Sequence, residues 1–365
     1  MSPFEQRLSR ARARMAELGV DALMLSVGAD LPWLCGYQAM PLERLTMLVV
    51  PAKDEPTLVV PRLEAPRVDE RPELFRLVSW DETDDPIALV SSIVGGRITL
   101  AIGDQMWSRF LLALQDALPA RRWLPAALVT GPLRAVKDAS ELDALSRAAA
   151  AADRVAAALH RGDIALVGRT EAQVSSDIGR RLVAEGHKRV SFAIVASGPN
   201  SASPHHEPGD RIIGKNEAVL CDFGGALDGY GSDITRTVCT GTPSSELSDL
   251  YAVVHEAHTA GVNAALVGTP CGEVDGAARD VIADAGYGEY FTHRTGHGIG
   301  RDAHEDPYLV DGNTAPLQAG HAFSIEPGIY IPGRFGARLE DIVVATDEGP
   351  WSLNNVDHSL VSVEA

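Results

Sequence analysis

An α/β domain over residues 1–133 followed by a larger α+β domain over 134–365 is what this sequence predicts. Three observations carry that expectation. The chain has 365 residues, more than the roughly 250–300 that one hydrophobic core fills. Its first third alternates helical and strand patterns, as an α/β layer does. The remainder sets strongly helical segments ahead of runs of strands and turns, the order of an α+β domain.

The elements follow in chain order. Phe4, Leu8, Ala11, Met15 and Leu18 recur at helical spacing and predict an amphipathic helix over about 3–19. DALMLSV is a short buried strand. TMLVVPAKDEPTLVVP reads as two strands joined by a polar turn, and RITLAIG as another strand. LPWLCGYQ (31–38) and the proline-broken LEAPRVDERPE (63–73) read as loops. A long helix is predicted from Arg134, with Asp138 or Ser140 as its N-cap. RTEAQVSSDIGRRLVAEG, ELSDLYAVVHEAHTAGVNAALVG and a stretch near 272–286 add three more helices. Glycine-rich β segments make up the rest.

Composition narrows the function classes. Apolar residues form 45% of the chain and the formal net charge is −18. A chain this acidic lacks the positive footprint that nucleic acids or anionic membranes require. The four cysteines (Cys35, Cys221, Cys239, Cys271) contain no CxxC and fit neither a zinc site nor a disulfide framework. Reduced thiols, no signal-peptide pattern and no run of eighteen apolar residues give a cytoplasmic expectation. Several near-motifs carry little. GDRIIGKN places Asn216 where a phosphate loop needs Ser or Thr, and GHGIG lacks a strand–turn–helix setting. HEAH (255–258) is not HExxH, because position 259 is Thr, and its histidines read as helix-face residues.

The chemistry concentrates elsewhere. AVLCDFGG and YGSDITRTV read as a hairpin centred between Leu227 and Asp228, which would set Asp222 opposite Asp233. Two facing carboxylates repel unless a cation lies between them. Asp228 belongs to the turn. Downstream, THRTGHGIGRDAHEDP carries His293, His297 and His304 among glycines that permit close approach. SIEPGIYIPGRFGARLEDIVV carries Glu326 and Glu340 around a second hairpin turn at IPGRFG. One histidine and four carboxylates suit a pair of divalent ions such as Mn²⁺ or Co²⁺, or a mixed N/O zinc pair.

DFG…SDITRT, GHGIG…HExP, EPGIY and GxRxED, in that order, resemble the motif set of the pita-bread metallopeptidases, which include prolidases and aminopeptidases P. The resemblance covers roughly 138–365, and 1–130 is more weakly similar to a creatinase-type N-terminal domain. It implies that Asp222, Asp233, His297, Glu326 and Glu340 hold two divalent ions, with Asp233 and Glu340 bridging. It implies substrate-side roles for His205, His293 and His304, with His206 the lesser alternative to His205. It links Arg338 to Asp222 and to Tyr330, and sets Tyr330 and Tyr308 on the substrate side. The implied activity is hydrolysis of Xaa-Pro bonds in di- or oligopeptides, as a dipeptidase ahead of an aminopeptidase, with a creatinase-like hydrolase as a further alternative. The implied assembly is a homodimer, with Trp33 and Tyr37 as candidates for the partner's site rim, while each aromatic taken alone reads first as a buried core residue. One departure stands out. Several prolidases carry Arg directly after HExP to hold the substrate carboxylate, where this chain has Tyr308.

Overall fold

The computed structural model describes residues 1–363 and divides into two compact units, Met1–Arg134 and the chain from Ala135 onward. The first unit is a six-stranded mixed sheet with helices on both faces. Its strand order is Arg76–Trp80, Thr57–Pro61, Met47–Pro51, Ala22–Leu25, Thr99–Ile102, Arg122–Pro125. Alternate residues of each inner strand enter opposite cores. Leu23, Leu48 and Leu58 pack on one side, and Met24, Val49 and Val59 on the other. That two-sided burial explains why these strands read as unbroken apolar runs rather than alternating ones. The two edge strands are partly exposed and less regular in pattern, and sequence alone did not mark them.

The loop expected at LPWLCGYQ is instead a short helix, Asp30–Cys35, ended by Gly36 in the left-handed region at φ 82°. Its apolar side chains bury in the core, which outweighs the proline and glycine that suggested a loop. Trp33 and Tyr37 lie in that core, 1% and 6% exposed, so neither stands on a rim of this unit.

The second unit repeats one arrangement, two helices followed by mainly antiparallel strands, with the C-terminal Val361–Val363 added in parallel beside Tyr230–Thr240. Helices Ala139–His160 and Glu171–Ala184 precede the sheet Val361–Val363, Tyr230–Thr240, Ala218–Leu227, Arg189–Ser197. Helices Ser245–Ala264 and Cys271–Asp284 precede the sheet Glu305–Leu309, Gly296–Gly298, Ala322–Ile325, Asp341–Thr346, Gly349–Ser352. The long helix starts at Ala139 rather than Arg134. Asp138 caps it with a reciprocal bond from Glu141, and Val136 is drawn into a bridge with His321. Among the described residues, no helix is long and apolar enough to cross a membrane.

Candidate metal centre

The candidate ligands sit on strands or at strand ends, so the sheets set their spacing. In the first hairpin Leu227 pairs with Tyr230, and Asp228 and Gly229 form the two-residue turn. Both have positive φ, 51° and 83°, as a type I′ Asp-Gly turn requires. The hairpin centre therefore lies one position later than the sequence reading placed it. Asp222 faces Thr235, and Asp233 faces Gly224. The two aspartates are thus diagonal neighbours on one face, not a facing pair.

The second pair of acids arises from an interruption. Ile325 pairs with Asp341 in the five-stranded sheet, and Gly328 pairs with Arg338 in the hairpin beyond it. One register runs through both, so Glu326 and Glu340 occupy opposed positions in the gap. Each backbone turns to another strand there: Glu326 N donates to Thr295 O at 2.8 Å, and Glu340 N to Thr235 O at 3.2 Å. The break delivers two carboxylates to the place where the sheets meet.

His297 comes from the strand Gly296–Gly298. A Cβ on Gly296 would lie 1.8 Å from Ser324 O, and one on Gly298 2.2 Å from Asp306 O. These glycines admit neighbouring backbone rather than a ligand. His297 Nδ1 bonds to Gly298 O at 3.1 Å, which leaves Nε2 as the free donor. That atom lies 3.3 Å from Glu326 Oε1 and 3.8 Å from Asp233 Oδ2.

Burial dominates the electrostatics. It pushes the carboxyls of Asp222, Asp233, Glu326 and Glu340 upward, Glu326 to about 7. The neighbouring acids push Asp233 and Glu340 further in the same direction. Burial also lowers His297 to about 3, keeping the imidazole neutral. Arg338 is the counterweight, donating to Asp222 Oδ2 at 2.7 Å and to Thr235 Oγ1 at 3.0 Å. Thr235 in turn donates to Glu340 Oε2 at 2.6 Å. Asp222 Oδ1 remains buried with no hydrogen-bond partner. Three buried acids, the half-buried Glu326, a neutral imidazole and an orphaned carboxylate oxygen fit divalent cations.

A second chain of bonds fixes His293. Arg338 donates to the Tyr330 hydroxyl at 2.8 Å, and that hydroxyl lies 2.8 Å from His293 Nε2. His293 Nδ1 bonds to Arg294 O, so Tyr330 donates to Nε2 and the ring is neutral. Burial holds its pKa at about 4. Tyr330 is itself buried behind His293 and Arg338.

The acids open onto a cleft of about 670 Å³ whose walls include Phe192, Ile194, His205, His293, Arg294, His304 and Val310. His205 faces the cleft. His206 turns away, its Nε2 2.7 Å from the buried Glu171, which also accepts from Ser197 N and Oγ. Tyr308 and Tyr330, expected against substrate, do not line the cleft. Arg294 does, and the sequence reading passed over it. Its guanidinium stacks 4.5 Å over the Tyr308 ring, and among the described residues it has no ion pair. Its position between two site histidines in THRTGHG was the available signal.

Comparison with known proteins gives the same picture. Residues 143–347 match the model of metallopeptidase family M24, and residues 7–136 match the creatinase/prolidase N-terminal domain. The chain is 46% identical to a protein of Mycobacterium tuberculosis described as probable dipeptidase PepE, over 99% of this chain and 96% of that one. It superposes on the crystal structure of dipeptidase PepE from Mycobacterium ulcerans with a TM-score of 0.92 at 47% identity, covering 100% of this chain and 98% of that chain. It superposes on a recombinant prolidase from Thermococcus sibiricus with a TM-score of 0.93 at 36% identity, covering 99% and 100%. With a creatinase-type domain ahead of a pita-bread domain, this chain belongs to metallopeptidase family M24.

Proposed function

We propose that the chain is an Xaa-Pro dipeptidase, with Asp222, Asp233, His297, Glu326 and Glu340 holding two divalent ions. The mostly oxygen donor set favours Mn²⁺, with Co²⁺ and Zn²⁺ as alternatives. When bound, such a pair supplies Lewis acidity and an acidified water. The protein's own groups do the rest. Glu326, its Oε1 held by Ser324 Oγ at 3.1 Å, takes the proton of the attacking water and returns it to the leaving nitrogen. A proline nitrogen carries no N–H, so recognition falls to the cleft walls. His205 and His304 contact the scissile carbonyl and product carboxylate, and His293 is fixed by Tyr330. Arg338 sets the orientation of Asp222 and, through Thr235, of Glu340.

The observation that carries the dipeptide reading is Arg294. A half-buried guanidinium with no acidic partner, on the wall of an acid-lined cleft, suits the free carboxylate of a two-residue substrate. It supplies the charge that Tyr308 lacks, and Tyr308 serves as its stacking platform. Arg294→Met should raise KM for Xaa-Pro dipeptides by about tenfold or more, consistent with loss of a charged hydrogen bond. Hydrolysis of Xaa-Pro-Xaa tripeptides should remain slow in both proteins. Tripeptides cleaved faster than dipeptides would instead select an Xaa-Pro aminopeptidase. The four buried cysteines, with no CxxC among them, support a cytoplasmic setting, and the family resemblance supports a homodimer, which light scattering checks.

A further inference from the structure

The motif HEAH, set aside in the sequence, has a place in the fold that the peptidase site does not use. His258 projects from helix Ser245–Ala264 toward Asp341, whose carboxylate is 0% exposed. His358, from the C-terminal segment, meets the same carboxylate. Asp341 Oδ2 lies 2.6 Å from His358 Nε2 and 3.5 Å from His258 Nε2. Donor atoms of all three lie within 4.8 Å of one another. None of these three atoms has a hydrogen-bond partner of acceptable geometry. The closeness is therefore not a set of well-formed hydrogen bonds. The peptidase centre shares features of this arrangement: Asp222 Oδ1 is buried without a partner among the described residues, and His297 Nε2 converges on Glu326 Oε1 and Asp233 Oδ2.

We propose that His258, Asp341 and His358 form a third cation site, taking a zinc-like divalent ion in a structural role. Two imidazoles and one carboxylate are the N/O donors that zinc accepts in a tetrahedral shell. His255, three residues before His258 on the same helix face, has its ring 6.1 Å from that of His358 and stands at the open position. The outer contacts are already built. Asp341 Oδ1 accepts from Arg236 Nη2 at 2.8 Å, and the Tyr251 hydroxyl donates to His358 O at 2.9 Å. The His358 side chain is 31% exposed, which gives an ion a path in. Asp341 adjoins Glu340, and Arg236 also donates to Glu340 O at 2.7 Å. An ion here would clip helix, strand and C-terminal segment together beneath the peptidase ligands without entering the reaction.

Metal analysis tests the idea apart from catalysis. Protein stripped and reloaded with excess Zn²⁺ should hold about three ions per chain, and His358→Ala about two, each counted by mass spectrometry after desalting. Zn²⁺ added to protein already carrying its peptidase pair should raise Tm in the parent and not in His358→Ala. Peptidase activity of His358→Ala should stay within about twofold, since the residue touches no substrate. A parent that retains only two ions, or a variant that still retains three, overturns the proposal. If His358→Ala does not fold, Co²⁺ added to the parent decides. A third equivalent that brings no visible absorption of tetrahedral cobalt rejects the site.

Discussion

The two units of this chain solve the problem of a core in opposite ways. The first contains none of the eleven histidines and fills both faces of its sheet with aliphatic side chains. Its buried charged residues are few, Arg7, Glu64 and Arg134. The second holds all eleven histidines and buries Asp222, Asp233, Glu340, Asp341, Arg236 and Arg338 at its centre. An aliphatic core gains stability with area and is indifferent to pH. A core of acids and imidazoles is stable only when cations and fixed donors compensate it. The catalytic unit therefore carries the dependence on metal and the larger part of the dependence on pH.

Three perturbations break or sharpen that contrast, in descending order of effect. Asp233→Asn removes a carboxylate from the centre and should lower turnover by about a thousandfold or more. Asp228→Asn changes the turn, where Asn also tolerates positive φ, and removes exposed ion pairs to Arg147 and Lys188; it should keep activity within about twofold. Steady-state kinetics on both, with circular dichroism as the folding control, decides this. The reverse ranking would overturn the assignment of metal ligand and turn residue.

The second is a core truncation in the N-terminal unit. Leu58→Ala, at a fully buried position, should cost about 2–5 kcal/mol of that unit's stability. Its kcat at permissive temperature should match the parent. Denaturant unfolding alongside kinetics measures both, and a parallel loss of kcat would show that the units do not divide the work this way.

The third is mild acid. Burial lowers His160, His293 and His321 each from 6.5 to about 4. Their unfolded forms take up protons near pH 6.5, while the folded forms resist until about pH 4. The contribution of these histidines to the second unit is therefore full above pH 6.5 and falls as pH drops through that window. Each histidine contributes on the order of 1–2 kcal/mol once partial exposure is discounted. Loss of bound cations acts in the same direction. Hydrogen exchange resolved by peptide should show the second unit opening first between pH 6.5 and 4. Equal loss of protection in both units would contradict the comparison.

Much of this was legible without coordinates. The four inner strands of the first sheet announce themselves as apolar runs, and the start of the long helix as a cap at Asp138 or Ser140, because local chemistry dictates both. The proposed ligand set could be named because its residue types, in their order, match a family pattern. What local chemistry did not settle was register. The hairpin reading missed by one position because an Asp-Gly turn centres on its own two positive-φ residues, and only the pairing reveals which two these are. The helix at Asp30–Cys35 was hidden because burial in the core overrode its loop-like proline and glycine.

By itself, then, the sequence determined which residue types are present, where the chain changes class and which side chains are suited to bind divalent ions. Tertiary structure alone decided what those side chains face. Glu326 and Glu340 oppose each other because one register spans two sheets with a gap between. His205 enters the cleft because buried Glu171 holds His206 away from it. Arg294 waits unpaired beside Tyr308 while His258, Asp341 and His358 converge from three distant segments. Contacts of this kind depend on where separate elements pack, and a linear pattern of residues carries no term for the distance between them.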